Sequence, residues 1–154
     1  MWLQRLEEYL RANQVEYQTI AHPLAYTAQE VAASAHIPGK EMAKTVMVKL
    51  DGRLAMVVVP ASERVHLGRL REATGAGEVA LASEWEFKDR FPECELGAMP
   101  PFGNLYGLDV FVSDTLAEDE EIAFNAGTHS ELVRMRYRDF ERLVDPRIVH
   151  LARH

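Results

Sequence analysis

A chain of 154 residues with 47% hydrophobic and 27% charged side chains has ordinary globular composition, and at this length one domain can bury ~70% of its unfolded surface. A net charge of −7 argues against a protein that grips nucleic acid through a broad basic surface, and no apolar run approaches the ~20 residues of a membrane span. A single cysteine, Cys94, rules out an internal disulfide, and acids in Met1-Trp2-Leu3-Gln4-Arg5-Leu6-Glu7-Glu8 stand where a signal peptide would be basic, so a cytoplasmic protein away from membranes is expected.

Trp2, Leu3, Leu6, Tyr9 and Leu10 recur at helical spacing, which predicts an opening helix over 2–13. Val15 to Ala21 alternates and reads as a strand stopped by Pro23. Thr27-Ala28-Gln29-Glu30 is a capping-box pattern that opens a short helix over 28–35, ended by Ile37-Pro38-Gly39-Lys40. Lys44–Leu50 and Arg53–Val59 are predicted strands joined by Asp51-Gly52, a tight hairpin signal. Leu54 to Val59 is almost wholly apolar, as expected of a strand covered on both faces.

A helix is expected over 63–74, ending at Gly75, and a short strand over 79–82. Ser83-Glu84-Trp85-Glu86 repeats the capping pattern and starts a brief helix that Pro92 closes. Further strands are predicted at 108–112, 121–125, 129–135 and 148–151, with Ala126-Gly127-Thr128 joining the second and third of these and a helix over 137–144. No repeat or linker is present. Strands and helices intermix, so the fold class is α/β, one domain over 1–154 with a mixed, curved, barrel-like β-sheet flanked by helices.

Between the predicted elements lies Gly97-Ala98-Met99-Pro100-Pro101-Phe102-Gly103. Two prolines and two glycines exclude a helix or central strand, while Met99 and Phe102 give the segment apolar weight. It is either a stiff binding loop whose glycines let backbone N–H groups approach a ligand, or a packed turn over the core.

Lys44 heads an apolar strand and points either to solvent or into a concavity, where it would offer a cation to a phosphate or a developing oxyanion. Asn125, Thr128 and His129 could converge where the chain reverses, or serve the turn itself. His22 sits near a strand end. His36, His66, His150 and His154 look incidental, and with no paired histidines or cysteines no metal site is expected. Cys94, between Glu93 and Glu95, reads as structural. Neither Ser62 nor Ser130 has a Gly-x-Ser-x-Gly setting, and no phosphate-binding glycine motif is present. The arginines at 134, 136, 138, 142 and 147 and those at 64, 69 and 71 allow a local positive face or a solvated mixed-charge surface.

Taken in order, Ala43-Lys44-Thr45-Val46, Gly97 to Gly103, Phe124-Asn125-Ala126-Gly127-Thr128-His129, Glu131-Leu132-Val133-Arg134-Met135 and Asp139-Phe140 resemble the YbaK and prolyl-tRNA-synthetase-associated editing-domain family. The match runs over nearly the whole chain with no synthetase domain attached, so a free-standing member is expected. The resemblance implies a mixed α/β fold around a distorted barrel-like sheet and hydrolysis of the ester joining a wrong amino acid to tRNA, with no cofactor. The family lysine maps onto Lys44, its Gly-x-x-x-Pro loop onto Gly97 and Pro101, and its histidine onto His129.

On this reading Lys44, Gly97 and His129 are the catalytic residues, and Thr45, Pro101, Phe102, Asn125, Gly127, Thr128 and His22 contact substrate. The Gly97 backbone would face the oxyanion, Lys44 would anchor the terminal adenosine phosphate or stabilise charge, and His129 with Asn125 would orient the aminoacyl group or water. The substrate's own 2′- or 3′-hydroxyl assists. Met47, Val57 or Phe102 would limit side-chain size. His129 matches the alanine-editing branch, which implies alanyl-tRNA(Pro), although Thr45 stands where some alanine-specific members have asparagine. The alternatives are cysteinyl-tRNA(Pro) or another small aminoacyl-tRNA, or a non-catalytic module binding a tRNA end or a protein. Expected partners are the acceptor end of tRNA and a recruiting protein such as prolyl-tRNA synthetase or an elongation factor.

Overall fold

A computed structural model of the protein describes residues 3–22, 27–35, 37–95 and 97–151. The chain runs α1 (Gln4–Ala12), β1 (Tyr17–Ala21), α2 (Ala28–Ser34), β2 (Ala43–Leu50) and β3 (Arg53–Pro60). It continues through α3 (Leu67–Thr74), β4 (Val79–Leu81), α4 (Glu84–Phe87) and a 3₁₀ turn at Lys88–Arg90. A second 3₁₀ turn at Gly103–Tyr106 leads to β5 (Asp109–Ser113), α5 (Asp114–Ala117), β6 (Glu121–Asn125), β7 (Glu131–Arg136), α6 (Tyr137–Val144) and β8 (Arg147–Val149).

β2 and β3 pair from Ala43 opposite Pro60 to Leu50 opposite Arg53. Their turn takes positive φ at both Asp51 and Gly52 (50° and 82°), the mirror-image turn whose twist matches a hairpin. This hairpin lies inside a five-stranded sheet of order β4-β2-β3-β5-β8, antiparallel on the β4 side and parallel from β3 to β8. An antiparallel sheet of order β1-β7-β6 stands beside it. A parallel bridge between Met42 and Ala123, with Ala123 N donating to Glu41 O at 2.9 Å, joins the two. The result is barrel-like and remains two sheets joined at one edge.

The main core fills the space between the sheets, with Met47, Met56, Val58, Val110 and Val112 from one and Ile122, Phe124, Val133 and Met135 from the other. β3 is covered on both faces as its sequence predicts. Met56 and Val58 enter that core, while Ala55, Val57 and Val59 pack outside it with Leu70 of α3. α2 seats Val31 and Ala32 on Met42, Ala123 and Leu132, over the junction of the sheets. Its predicted capping box forms: Glu30 N donates to Thr27 Oγ1 at 3.0 Å and Thr27 N to Glu30 Oε1 at 3.2 Å.

Several boundaries shift for local reasons. α3 begins at Leu67, not 63, because the His66 ring caps it: His66 Nδ1 accepts from Arg69 N at 3.1 Å. His66, expected to be incidental, is thus a capping residue. His129 and Ser130 lie in the turn before β7, not in the strand, since Ala126 N reaches Glu131 O at 3.1 Å and closes a wider loop. The last strand covers 147–149 instead of 148–151. His150, also expected to be incidental, meets Asp114, with Nδ1 and Oδ2 2.8 Å apart. α5 and the turn at Gly103–Tyr106 have no clear sequence signal. Trp2, Pro23, His36 and His154 lie outside the described residues.

Candidate active site

Two loops distant in sequence are fastened together by backbone bonds. Glu95 N donates to Gly127 O at 2.7 Å, Gly127 N to Ala98 O at 3.0 Å and Ala98 N to Glu95 O at 3.0 Å. His129 N also donates to Glu95 Oε1 at 3.4 Å. Gly97 and Gly127 both hold left-handed backbone, φ 85° and 95°, which glycine adopts without strain. The clamp sets exposed Gly97 against the His129 ring: a Cβ at Gly97 would stand 3.5 Å from His129 Cε1 and 3.8 Å from Nε2. His129 is buried. His22, also buried, extends the pairing of β1 with β7, its N–H donating to Ser130 O at 2.9 Å. Gly97, Gly127, His129 and His22 therefore gather at one end of the three-stranded sheet.

Asn125 and Thr128 lie in the same turn region. Asn125 Oδ1 and Thr128 Oγ1 are buried and have no hydrogen-bond partner among the described residues. Buried polar atoms are ordinarily satisfied, so each is open to a bond from water or a ligand. Asn125 pairs with Leu132 and lies two residues beyond Ala123, so strand alternation puts it on the face that α2 covers. Lys44 lies two residues beyond Met42 in the same direction from the parallel bridge. The same alternation puts Lys44 on that face too, half-buried. Burial pulls its ammonium below the usual lysine range, the Arg64 charge adds to this and Glu63 opposes it. Glu63 is itself held by the Thr115 hydroxyl.

The other sequence candidates sit differently. Thr45, paired with the core residue Val58, takes the face of β2 opposite Lys44. Pro101 is buried, and Phe102 is fully buried, with its ring centroid 5.5 Å from both Phe124 and Phe140. Met47 lies in the main core and Val57 in the cluster outside β3. Cys94 sits beneath the clamp, its Sγ 3.8 Å from where a Gly127 Cβ would be and 3.9 Å from the Tyr106 hydroxyl. Burial pushes its thiol up, away from reactivity. Sequence reasoning missed Glu95, read only as a neighbour of Cys94, and the Glu63–Arg64 pair beside Lys44. Nothing in their local pattern signals either role. A 550 Å³ cleft involving Asp119, Arg136 and Tyr137 opens at the opposite end of β6 and β7.

At the clamp the Gly97 backbone meets the His129 imidazole, Asn125 and Thr128 lie in the same turn region, and the ammonium of Lys44 lies on the Asn125 face, with Cys94 held unreactive. Such a set suits orienting a polar ester and a water better than supplying a covalent nucleophile. The fold is a mixed α/β scaffold of two joined sheets. Residues 22–143 match the aminoacyl-tRNA editing domain, and the chain belongs to that family; it is a hydrolase that cleaves the ester of aminoacyl-tRNA.

Two relatives and one structure illustrate the kinship. The chain is 26% identical over 155 residues to the multifunctional Ser/Thr-tRNA deacylase ProXp-y of Escherichia coli K12, covering 97% of this chain and 92% of that protein. It is 26% identical over 111 residues to a proline–tRNA ligase of Bacillus mycoides, spanning 71% of this chain but 19% of the ligase. A crystal structure described as a candidate trans-editing enzyme for prolyl-tRNA synthetase superposes with a TM-score of 0.83 at 18% identity, over 98% of this chain and 96% of the other, a likeness of fold. Among the described residues no helix is long and apolar enough to cross a membrane.

Proposed function

We propose that this chain acts as a single editing domain in the cytoplasm, removing a small amino acid wrongly attached to tRNA(Pro), with alanine as the first substrate. The observation that carries this reading is the backbone clamp that sets Gly97 against His129. In the reaction, water adds to the ester carbonyl, the ribose oxygen leaves and takes up a proton, and free amino acid and uncharged tRNA result. Backbone N–H groups near Gly97 face the developing oxyanion, His129 and Asn125 orient the acyl group and water, and Lys44 holds the terminal phosphate or the developing charge. Burial holds the Cys94 thiol away from reactivity and Glu95 Oε1 accepts from His129 N, which fits assistance by the neighbouring ribose hydroxyl. The resemblance through His129 favours alanine. Prolyl-tRNA synthetase is the first candidate for a protein that works beside it, and an elongation factor the second.

A second substrate reading has its own support. The full-length relative from Escherichia coli is named a Ser/Thr-tRNA deacylase, and Asn125 Oδ1 and Thr128 Oγ1 are acceptors that a substrate hydroxyl could satisfy. Apolar pockets separate substrates by only ~1–3 kcal/mol per methylene, so both activities fit one site. Purified protein should be assayed against tRNAs charged with alanine, serine, threonine or cysteine. Release of alanine from tRNA(Pro) is expected first, and Lys44→Ala should lower kcat/KM by about 100-fold or more, a loss of ~2.7 kcal/mol in transition-state stabilisation, with its melting curve little changed. A fully active Lys44→Ala removes Lys44 from the mechanism. Binding without turnover of any charged tRNA leaves a recognition module instead of an enzyme.

A further inference from the structure

We infer that the hollow formed by Lys49, Arg53 and Arg90 is a second binding surface for the tRNA, gripping acceptor-stem phosphates away from the ester. This rests on the editing function proposed above and adds how an acidic protein holds its polyanionic substrate. The hollow, of about 480 Å³, lies between the tip of the β2–β3 hairpin and the segment after the second 3₁₀ turn, and Glu86, Gly107 and Leu108 complete its wall. Three cations face one carboxylate there, on a chain whose net charge is −7. Lys49 Nζ neutralises that carboxylate at 2.7 Å from Glu86 Oε1. Two guanidinium groups are left over: exposed Arg53, with no ion pair among the described residues, and exposed Arg90, whose Nη1 makes a long 3.5 Å bond to Tyr106 O. Guanidinium is the side chain best shaped to fork onto phosphate oxygens.

Two further features fit RNA. Nothing lies within 4 Å of where a Cβ at Gly107 would stand, so the rim backbone is open to close approach. Trp85, on the helix that supplies Glu86, is 80% exposed and carries Lys88 Nζ 4.0 Å from its ring centroid. A free aromatic face beside cations is a surface on which a base or ribose can stack. Glu84 and Asp89 flank Trp85 and Lys88 with the opposite sign, which limits the patch to the hollow and the ring.

The hollow is linked to the candidate site through the chain. The loop that begins at Gly97 runs through the second 3₁₀ turn to Gly107 and Leu108 in its wall. Lys49 stands five residues along β2 from Lys44, about 17 Å at strand spacing and, by alternation, on the opposite face of that strand.

The test is steady-state deacylation of full-length mischarged tRNA by Arg53→Glu and by Arg53→Glu/Arg90→Gln, with melting midpoints recorded to verify folding. KM should rise about tenfold with kcat unchanged, and the slope of log K against log salt should become shallower by about one for each phosphate no longer neutralised. An aminoacylated fragment carrying only the CCA end should be hydrolysed by wild type and variants alike. Unchanged KM and salt slope overturn the assignment, and so does an equal loss on the short fragment, or variants whose only defect is in binding a protein. If wild type hydrolyses no charged tRNA, the editing reading fails separately. Filter retention of uncharged tRNA then still decides the hollow, and equal retention by variant and wild type counts against it.

Discussion

At one end of the 97–103 loop, Gly97 is exposed, holds φ 85° and leaves His129 Cε1 3.5 Å from the place a Cβ would take. At the other end, Gly103 is buried with φ outside the left-handed range, and a Cβ would come within 2.8 Å of Val110 Cγ2 and 3.3 Å of Leu108 Cβ. One glycine is required by conformation and by the open space beside an imidazole, the other by core packing alone. Between them Pro100, Pro101 and Phe102 are buried. The loop is thus open beside an imidazole at its first residue and core from its second residue on.

Substitutions along the loop should separate these two jobs. Phe102→Ala empties a site among Tyr9, Phe124 and Phe140 and is expected to cost about 3–5 kcal/mol in stability by denaturant titration. A loss under 1 kcal/mol would erase the distinction at its strongest point. Gly97→Val should reduce kcat/KM about 100-fold, ~2.7 kcal/mol, while left-handed strain takes only about 1–2 kcal/mol from stability. Full activity in that variant would make the whole loop packing.

Gly103→Ala tests the other end. Overpacking against Val110 should destabilise by about 1–3 kcal/mol, yet turnover per folded molecule should match wild type. The smallest effect belongs outside the loop. Burial, then the neighbouring Glu41 charge, raises the Asp119 carboxyl to about 6, so the folded protein holds this proton more tightly than the unfolded chain. Stability from this group is present at acid pH and falls as pH rises through the window between about 4 and 6. Asp119→Asn should therefore be the more stable protein at pH 7 by about 1 kcal/mol or less, since solvent screens a partly exposed group. That advantage should vanish by about pH 4, and deacylation should not change.

Much of the fold is legible in short-range pattern. The Asp51-Gly52 turn, the Thr27–Glu30 cap and the apolar run of β3 depend on residues a few positions apart, and all three form as read. His66 escapes such a reading because ring-to-backbone capping has weaker sequence preference than Ser, Thr, Asp or Asn. For the candidate site, the motifs name Lys44, Gly97 and His129, but nothing in their spacing tells how near they come. Thr45 and Phe102, motif residues themselves, show the limit: alternation turns Thr45 to the other face of β2, and aromatic packing draws Phe102 into the core. Glu95, whose carboxylate holds the His129 backbone, has no motif to mark it.

What the sequence determined by itself, then, was the set of local elements and the family-bearing residue types, because caps, turns and periodicity are written in neighbouring side chains. What only the tertiary structure decided was which of those residues meet. Backbone bonds from Glu95 and Ala98 to Gly127, and the bridge from Met42 to Ala123, cross long stretches of chain and form only once the core between the two sheets has closed. Lys44 could have faced solvent or a concavity. Its half-buried place on the face covered by α2, beside Glu63 and Arg64, was settled by that packing.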